Sequence, residues 1–244
     1  DVWLRGEGLV PLLGRNTLTT NGQEWVQNRQ VNQPSFHPRM VEGAADRFAA
    51  AAAPVVERWP VGKTIDVAEE AVRLFARHAT AAFGLEVTEA EAQALPEALL
   101  RLQRWAFTVV AGGAPRTAQA KADMALLDGI VARALGKPVA SSGPPTLVER
   151  LRQDHAVDRA TLRDHLMLAL IAPADNPPNA LAFALWLLSR NPDQQDAARA
   201  EIASVIGEGV VNAEAITALP LLDRVVQESL RLLPPVWWVA RTAH

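Results

Sequence analysis

Three small groups of residues have the types and spacing to do chemistry. Trp25 and Arg29 lie four residues apart on a predicted helix and so share a face. An indole N–H and a guanidinium on one face can grip a carboxylate, the arginine in bidentate fashion. The plainer alternative is an aromatic ring packed under an arginine. Glu228 and Arg231, three residues apart, can form a helical ion pair. Their apolar flanks, Leu219-Pro220-Leu221-Leu222 and Leu233-Pro234-Pro235, predict that the pair is buried, which would require further polar partners. The third group, Asp175 and Asn176, sits inside Ile171-Ala172-Pro173-Ala174-Asp175-Asn176-Pro177-Pro178. An acid placed in an otherwise apolar helix beside three prolines marks a functional-site candidate, because burying it without a purpose is expensive.

The elements that must position these groups are almost all helical. Alanine and leucine are abundant, and strand-like alternation is scarce. Residues 1–22 are expected to be irregular, with Gly6, Gly8, Pro11, Gly14 and an Asn21-Gly22 turn. Helices are predicted over 23–32, 38–57, 66–84, 88–109 and on to Leu135, then near 146–154, 159–189, 192–206 and 219–233. Asp66 opens one with Glu69 and Glu70 in its first turn, and Thr88 caps the next with Glu91 three residues on. The 159–189 helix should break at its prolines, with Asn176 as a new N-cap and Pro177 in the first turn that follows. Residues 136–146 are the best candidate for a mobile loop.

The hydrophobic fraction of 49% suffices for a buried core. A net charge of -3 without a basic stripe argues against nucleic-acid binding. There is no cysteine, which excludes disulfides and thiolate metal sites within these residues and fits a cytoplasmic setting. No apolar run of about 18 residues is present, so no transmembrane segment is expected. The five histidines, His37, His78, His155, His165 and His244, show no ligand spacing; His78 and His165 are expected to be packing or surface residues. The whole of 1–244 is taken as a single domain, incomplete at both ends, since it starts at Asp1 without a methionine.

Four segments, in order, resemble the cytochrome P-450 family. They are Asn21 to Arg29 with Gln33-Pro34-Ser35-Phe36-His37; Leu162 to Met167; Asn179 to Leu188 with Asn191-Pro192; and Leu222 to Pro235. The resemblance covers nearly the whole chain and implies a mainly α, cytochrome P-450-like helical fold, truncated at both ends. It implies a heme cofactor, with Trp25 and Arg29 on one propionate and Arg241 on the other. Glu228 and Arg231 would form the structural ion pair behind the heme. Asp175 would be the acid of the oxygen-activating groove, with Asn176 beside it. Leu170, Ala174, Val236, Trp237 and Trp238, with the stretch 105–110, would line the pocket of a small apolar substrate. An electron-transfer redox partner is implied as well.

The chain departs from the family pattern at the groove. Pro173 stands where glycine is usual, and Asn176 stands where the family usually has threonine. The cysteine loop that ligates heme iron is absent from these residues. The expected parent protein is a heme-dependent monooxygenase, and these 244 residues alone cannot form a heme-thiolate centre. The alternative is a heme-free relative that binds and activates a partner enzyme such as a glycosyltransferase.

Overall fold

The computed structural model describes residues 9–36, 44–110, 117–136, 146–153, 157–209 and 211–237. Among them the architecture is helical, with no strand. The helices are α1 (Val10–Leu13), α2 (Gly22–Asn32), α3 (Ala44–Val56), α4 (Val67–Phe83), α5 (Glu89–Val110), α6 (Ala118–Gly136), α7 (Leu147–Gln153), α8 (Arg159–Ile171), α9 (Asn176–Ser189), α10 (Pro192–Val205), α11 (Ala213–Thr217) and α12 (Pro220–Leu232). The predicted start of α3 at Pro38 and most of the 136–146 loop lie outside the described residues.

Local sequence sets most of the boundaries. The Asp66 carboxylate accepts from the N–H groups of Ala68 and Glu69 and so opens α4. Gly84 closes it in the left-handed region at φ 74°, and a Cβ there would stand 2.5 Å from the Thr146 hydroxyl oxygen. Thr88 and Glu91 form the reciprocal capping box expected of α5. Thr146 and Glu149 do the same for α7. At α12 the cap comes from another helix: Glu201 of α10 accepts from the N–H groups of Leu221 and Leu222. Residues 9–22 are not wholly irregular, because Pro11 favours the first turn of a short helix, α1, which Gly14 ends.

α4 occupies the centre, packed against α3, α5, α7, α8 and α9. The core is apolar and tightly filled, with Leu95, Leu99, Leu102, Leu127, Leu166 and Met167 fully enclosed. A charged latch ties α5 to α6. Arg101 donates to both oxygens of Asp123, at 2.9 and 2.8 Å, and Asp123 is only 3% exposed. A second latch joins Arg163 of α8 to Asp128 of α6.

The expected long helix is split. α8 ends at Ile171, a turn of 3-10 helix spans Ala172–Ala174, and α9 begins at Asn176. The N-cap of α9 is Asp175, not Asn176, and no side chain caps it. Pro177 and Pro178 have no N–H to offer, so the usual reward for a capping side chain is reduced. Beyond the break, α9, α10 and α12 form a three-helix corner.

Candidate functional site

α2 carries the first predicted pair. The Arg29 guanidinium lies over the Trp25 ring, 5.3 Å from its centroid, and both side chains are exposed. Neither makes a hydrogen bond or ion pair among the described residues. The helix is anchored through its other face. Asn28 is buried and donates to the Thr20 hydroxyl, which in turn donates to the Asn16 carbonyl. At the last turn, the Asn32 amide donates to Nδ1 of His165 on α8 at 2.8 Å.

That last contact makes the seat of α2 dependent on pH. Burial lowers the His165 pKa from its ordinary 6.5, against the opposing charge of Asp164. The neutral ring, which accepts from Asn32, is therefore favoured by folding. Its contribution is complete above the unfolded value and is lost as pH falls below it. We expect the gap in melting temperature between the protein and a His165→Leu variant to narrow from pH 7.5 to pH 5.5. A gap that stays constant would refute the linkage.

The break between α8 and α9 carries the second group. Asp175 is half-buried, and burial alone pushes its carboxyl above the ordinary 3.8. It lies on the wall of an apolar pocket of about 240 Å³. Leu12, Leu13 and Leu18 close one side, Gln103 and Ala106 of α5 another, and Leu168, Ile171 and Ala172 the third. The expected wall residues Leu170 and Ala174 are not on it; both are buried in the core. Residues 168, 171, 172 and 175 share one helical face, and 170 and 174 fall more than about 100° from its centre. Gln103 had no signal in the sequence. Its Nε2 is shielded from solvent without a hydrogen-bond partner.

Glu228 and Arg231 pair at 2.7 and 2.6 Å, but in the open. Their side chains are 54% and 66% exposed, so the expectation of burial is corrected. The apolar flanks did not imply burial because Val226, Leu230 and Leu232 on the same helix are exposed too. Only Ser229 is fully enclosed, facing α9. Val236 and Trp237, expected in the pocket, are exposed at the end of the described chain. Trp238 and Arg241 lie outside the described residues, as do His37, His155 and His244.

The comparisons with known proteins agree on one family. The family model described as cytochrome P450 matches residues 145–244. Cyclooctatin synthase of Streptomyces melanosporofaciens is 28% identical over 97% of this chain and 55% of its own length. The chain is similar to cytochrome P450 proteins along nearly its whole length. Cytokinin hydroxylase of Arabidopsis thaliana is 26% identical to this chain over 99% of it and 52% of its own length. The chain thus spans about half the length of the curated relatives it matches. The fold agrees. The crystal structure of the cytochrome P450DA heme domain superposes with a TM-score of 0.77 at 21% identity, over 95% of this chain and 55% of that one. A retinoic acid-bound cyanobacterial CYP120A1 does so with a TM-score of 0.76 at 21% identity, over 93% of this chain and 53% of that one.

The similarity to cytochrome P450 proteins implies heme as the cofactor of the parent protein. The α2 pair fits such a group. An exposed guanidinium that has no acidic partner among the described residues, held over an indole whose N–H is likewise unengaged among them, suits a carboxylate-bearing ligand. No described cluster of histidine, aspartate and glutamate could hold a metal by itself, and the sequence contains no cysteine. The iron's thiolate ligand therefore cannot come from these 244 residues. No helix among the described residues is long and apolar enough to cross a membrane.

Proposed function

We propose that these residues form the central part of a heme-dependent monooxygenase acting on a small apolar substrate. The observation that carries the reading is the position of Asp175. It is an acid whose carboxyl burial pushes above its ordinary value, on the wall of a largely apolar pocket, at a break in the helix. The overall reaction inserts one atom of dioxygen into a C–H bond and reduces the other to water. It consumes two electrons and two protons, the electrons coming from a redox partner. Bound heme supplies the iron at which dioxygen is reduced. The chain's own residues then have three tasks. Trp25 and Arg29 hold a heme propionate. The leucine-lined pocket admits an apolar substrate and excludes water. Asp175 carries protons inward, with Asn176 as a neighbouring amide donor where the family usually has a hydroxyl.

The test is the carbon monoxide difference spectrum of the reduced full-length protein. A strongly red-shifted Soret band is expected. Replacing Arg29 by alanine should weaken heme retention about tenfold, the equivalent of one charge-assisted hydrogen bond. A full-length protein that takes up no heme would overturn the reading and favour a heme-free helper of a partner enzyme.

A further inference from the structure

Asn179 stands in the first turn of α9, directly after two prolines. Its Nδ2 donates to the Asp175 main-chain carbonyl at 2.9 Å and to the Asp175 Oδ1 at 3.1 Å. Its backbone N–H also donates to that carbonyl, at 3.3 Å. One residue thus holds both the main chain and the carboxyl of the acid. Pro177 and Pro178 can supply no N–H, so Asn179 is the first residue of α9 beyond Asn176 with a donor to give. Among the described residues Oδ2 of Asp175 has no partner. Among the described residues Asp175 is the only titratable one lining the pocket. Burial raises its titration, and no charged group among the described residues of α4, α5, α8 or α9 adds to that.

We infer that Asn179 is a positioning residue, which ties Oδ1 of Asp175 back to α9 and leaves Oδ2 as the oxygen that holds the transferable proton. The inference rests on the proposed role of Asp175 as proton carrier. Asparagine is a weak helix former in such a place, so helix propensity does not account for it. A hydrogen bond to the ionised carboxylate offsets part of the cost of burial. Asn179 thereby keeps the acid able to give up its proton as well as to hold it.

The experiment compares Asn179→Leu, which keeps the size and removes the donor, with Asn179→Gln, which keeps an amide. The titration of Asp175 is followed by carboxyl carbon NMR in the protein itself. In the full-length protein, product formed per dioxygen consumed is measured beside it. The leucine variant should titrate at higher pH than the parent and lose at least threefold in product per dioxygen. The glutamine variant should recover most of both. A leucine variant that melts earlier but leaves the Asp175 titration unmoved would overturn the inference, since that is what a purely structural role predicts. Should Asn179→Leu fail to fold, Asn179→Ala, which also lacks a side-chain donor, carries the same comparison. A moved titration in a protein with no oxygenase activity would sink the proposed function and leave the positioning role standing.

Discussion

Replacing Arg101 by alanine is expected to destabilise the fold by about 2–3 kcal/mol, a large share of the margin of any domain. The reason is an asymmetry within the pair. Asp123 is 3% exposed, and Arg101 reaches it from a half-exposed position. Removing the arginine leaves a buried carboxylate with one neutral donor, the Gln119 amide at 3.0 Å. Removing the charge from the acid instead leaves an arginine that can turn to water. Asp123→Asn should therefore cost about 1 kcal/mol, clearly less than Arg101→Ala. Urea unfolding of the two variants side by side decides the matter; equal losses would contradict the asymmetry. The pair also sets an acid limit. Burial pushes the Asp123 carboxyl up, but the hydrogen bonds from Arg101 and Gln119 outweigh it and hold the group below its ordinary 3.8. A depressed carboxylate contributes stability above its unfolded value and loses it as pH falls below about 3.8. Arg101→Ala should remove that part of the acid sensitivity.

Gly14→Ala is expected to cost at least as much, about 3 kcal/mol, by a different route. Gly14 has φ 72° and ψ -159°, a region in which essentially only glycine is found. A Cβ there would also fall 1.9–2.2 Å from the three carboxyl atoms of Asp164. That carboxyl is occupied: it accepts from the Arg15 N–H at 2.7 Å and from Arg163 at 2.8 Å. The methyl group must displace it and break both contacts, loosening α1 from α8. Combining Gly14→Ala with Asp164→Ala separates the two causes. The second change removes the collision and leaves the backbone strain, so the double variant should be more stable than the sum of the singles predicts. Strict additivity in thermal or urea unfolding would mean that the collision is relieved at no cost.

Neither of these features could be read along the chain, and the reason is sequence distance. Gly14 and Asp164 are far apart, as are Asn32 and His165, and no local pattern marks their meeting. What was legible was local. The Thr88–Glu91 box, the Asp66 cap and the proline break between α8 and α9 all depend on residues within one turn of each other, where side chain and backbone compete directly. The site was legible in part. Asp175 emerged from its chemistry, an acid among apolar residues, and Trp25 with Arg29 from their spacing. Leu170 and Ala174 do not line this pocket, because helical periodicity puts them off the face formed by Leu168, Ile171, Ala172 and Asp175. Glu228 and Arg231 were misjudged because apolar neighbours in sequence say nothing about which helices stand opposite them.

The central place of α4 has a consequence for how this sequence can drift. Ala71, Ala76 and Ala79 are almost wholly enclosed where neighbouring helices press against α4 from several sides. Each is chemically plain, and none touches the candidate site. Yet an added methylene at any of them pushes several partners outward at once and has no solvent-facing side to escape to. The positions with the least room for neutral change are thus among those with the smallest side chains.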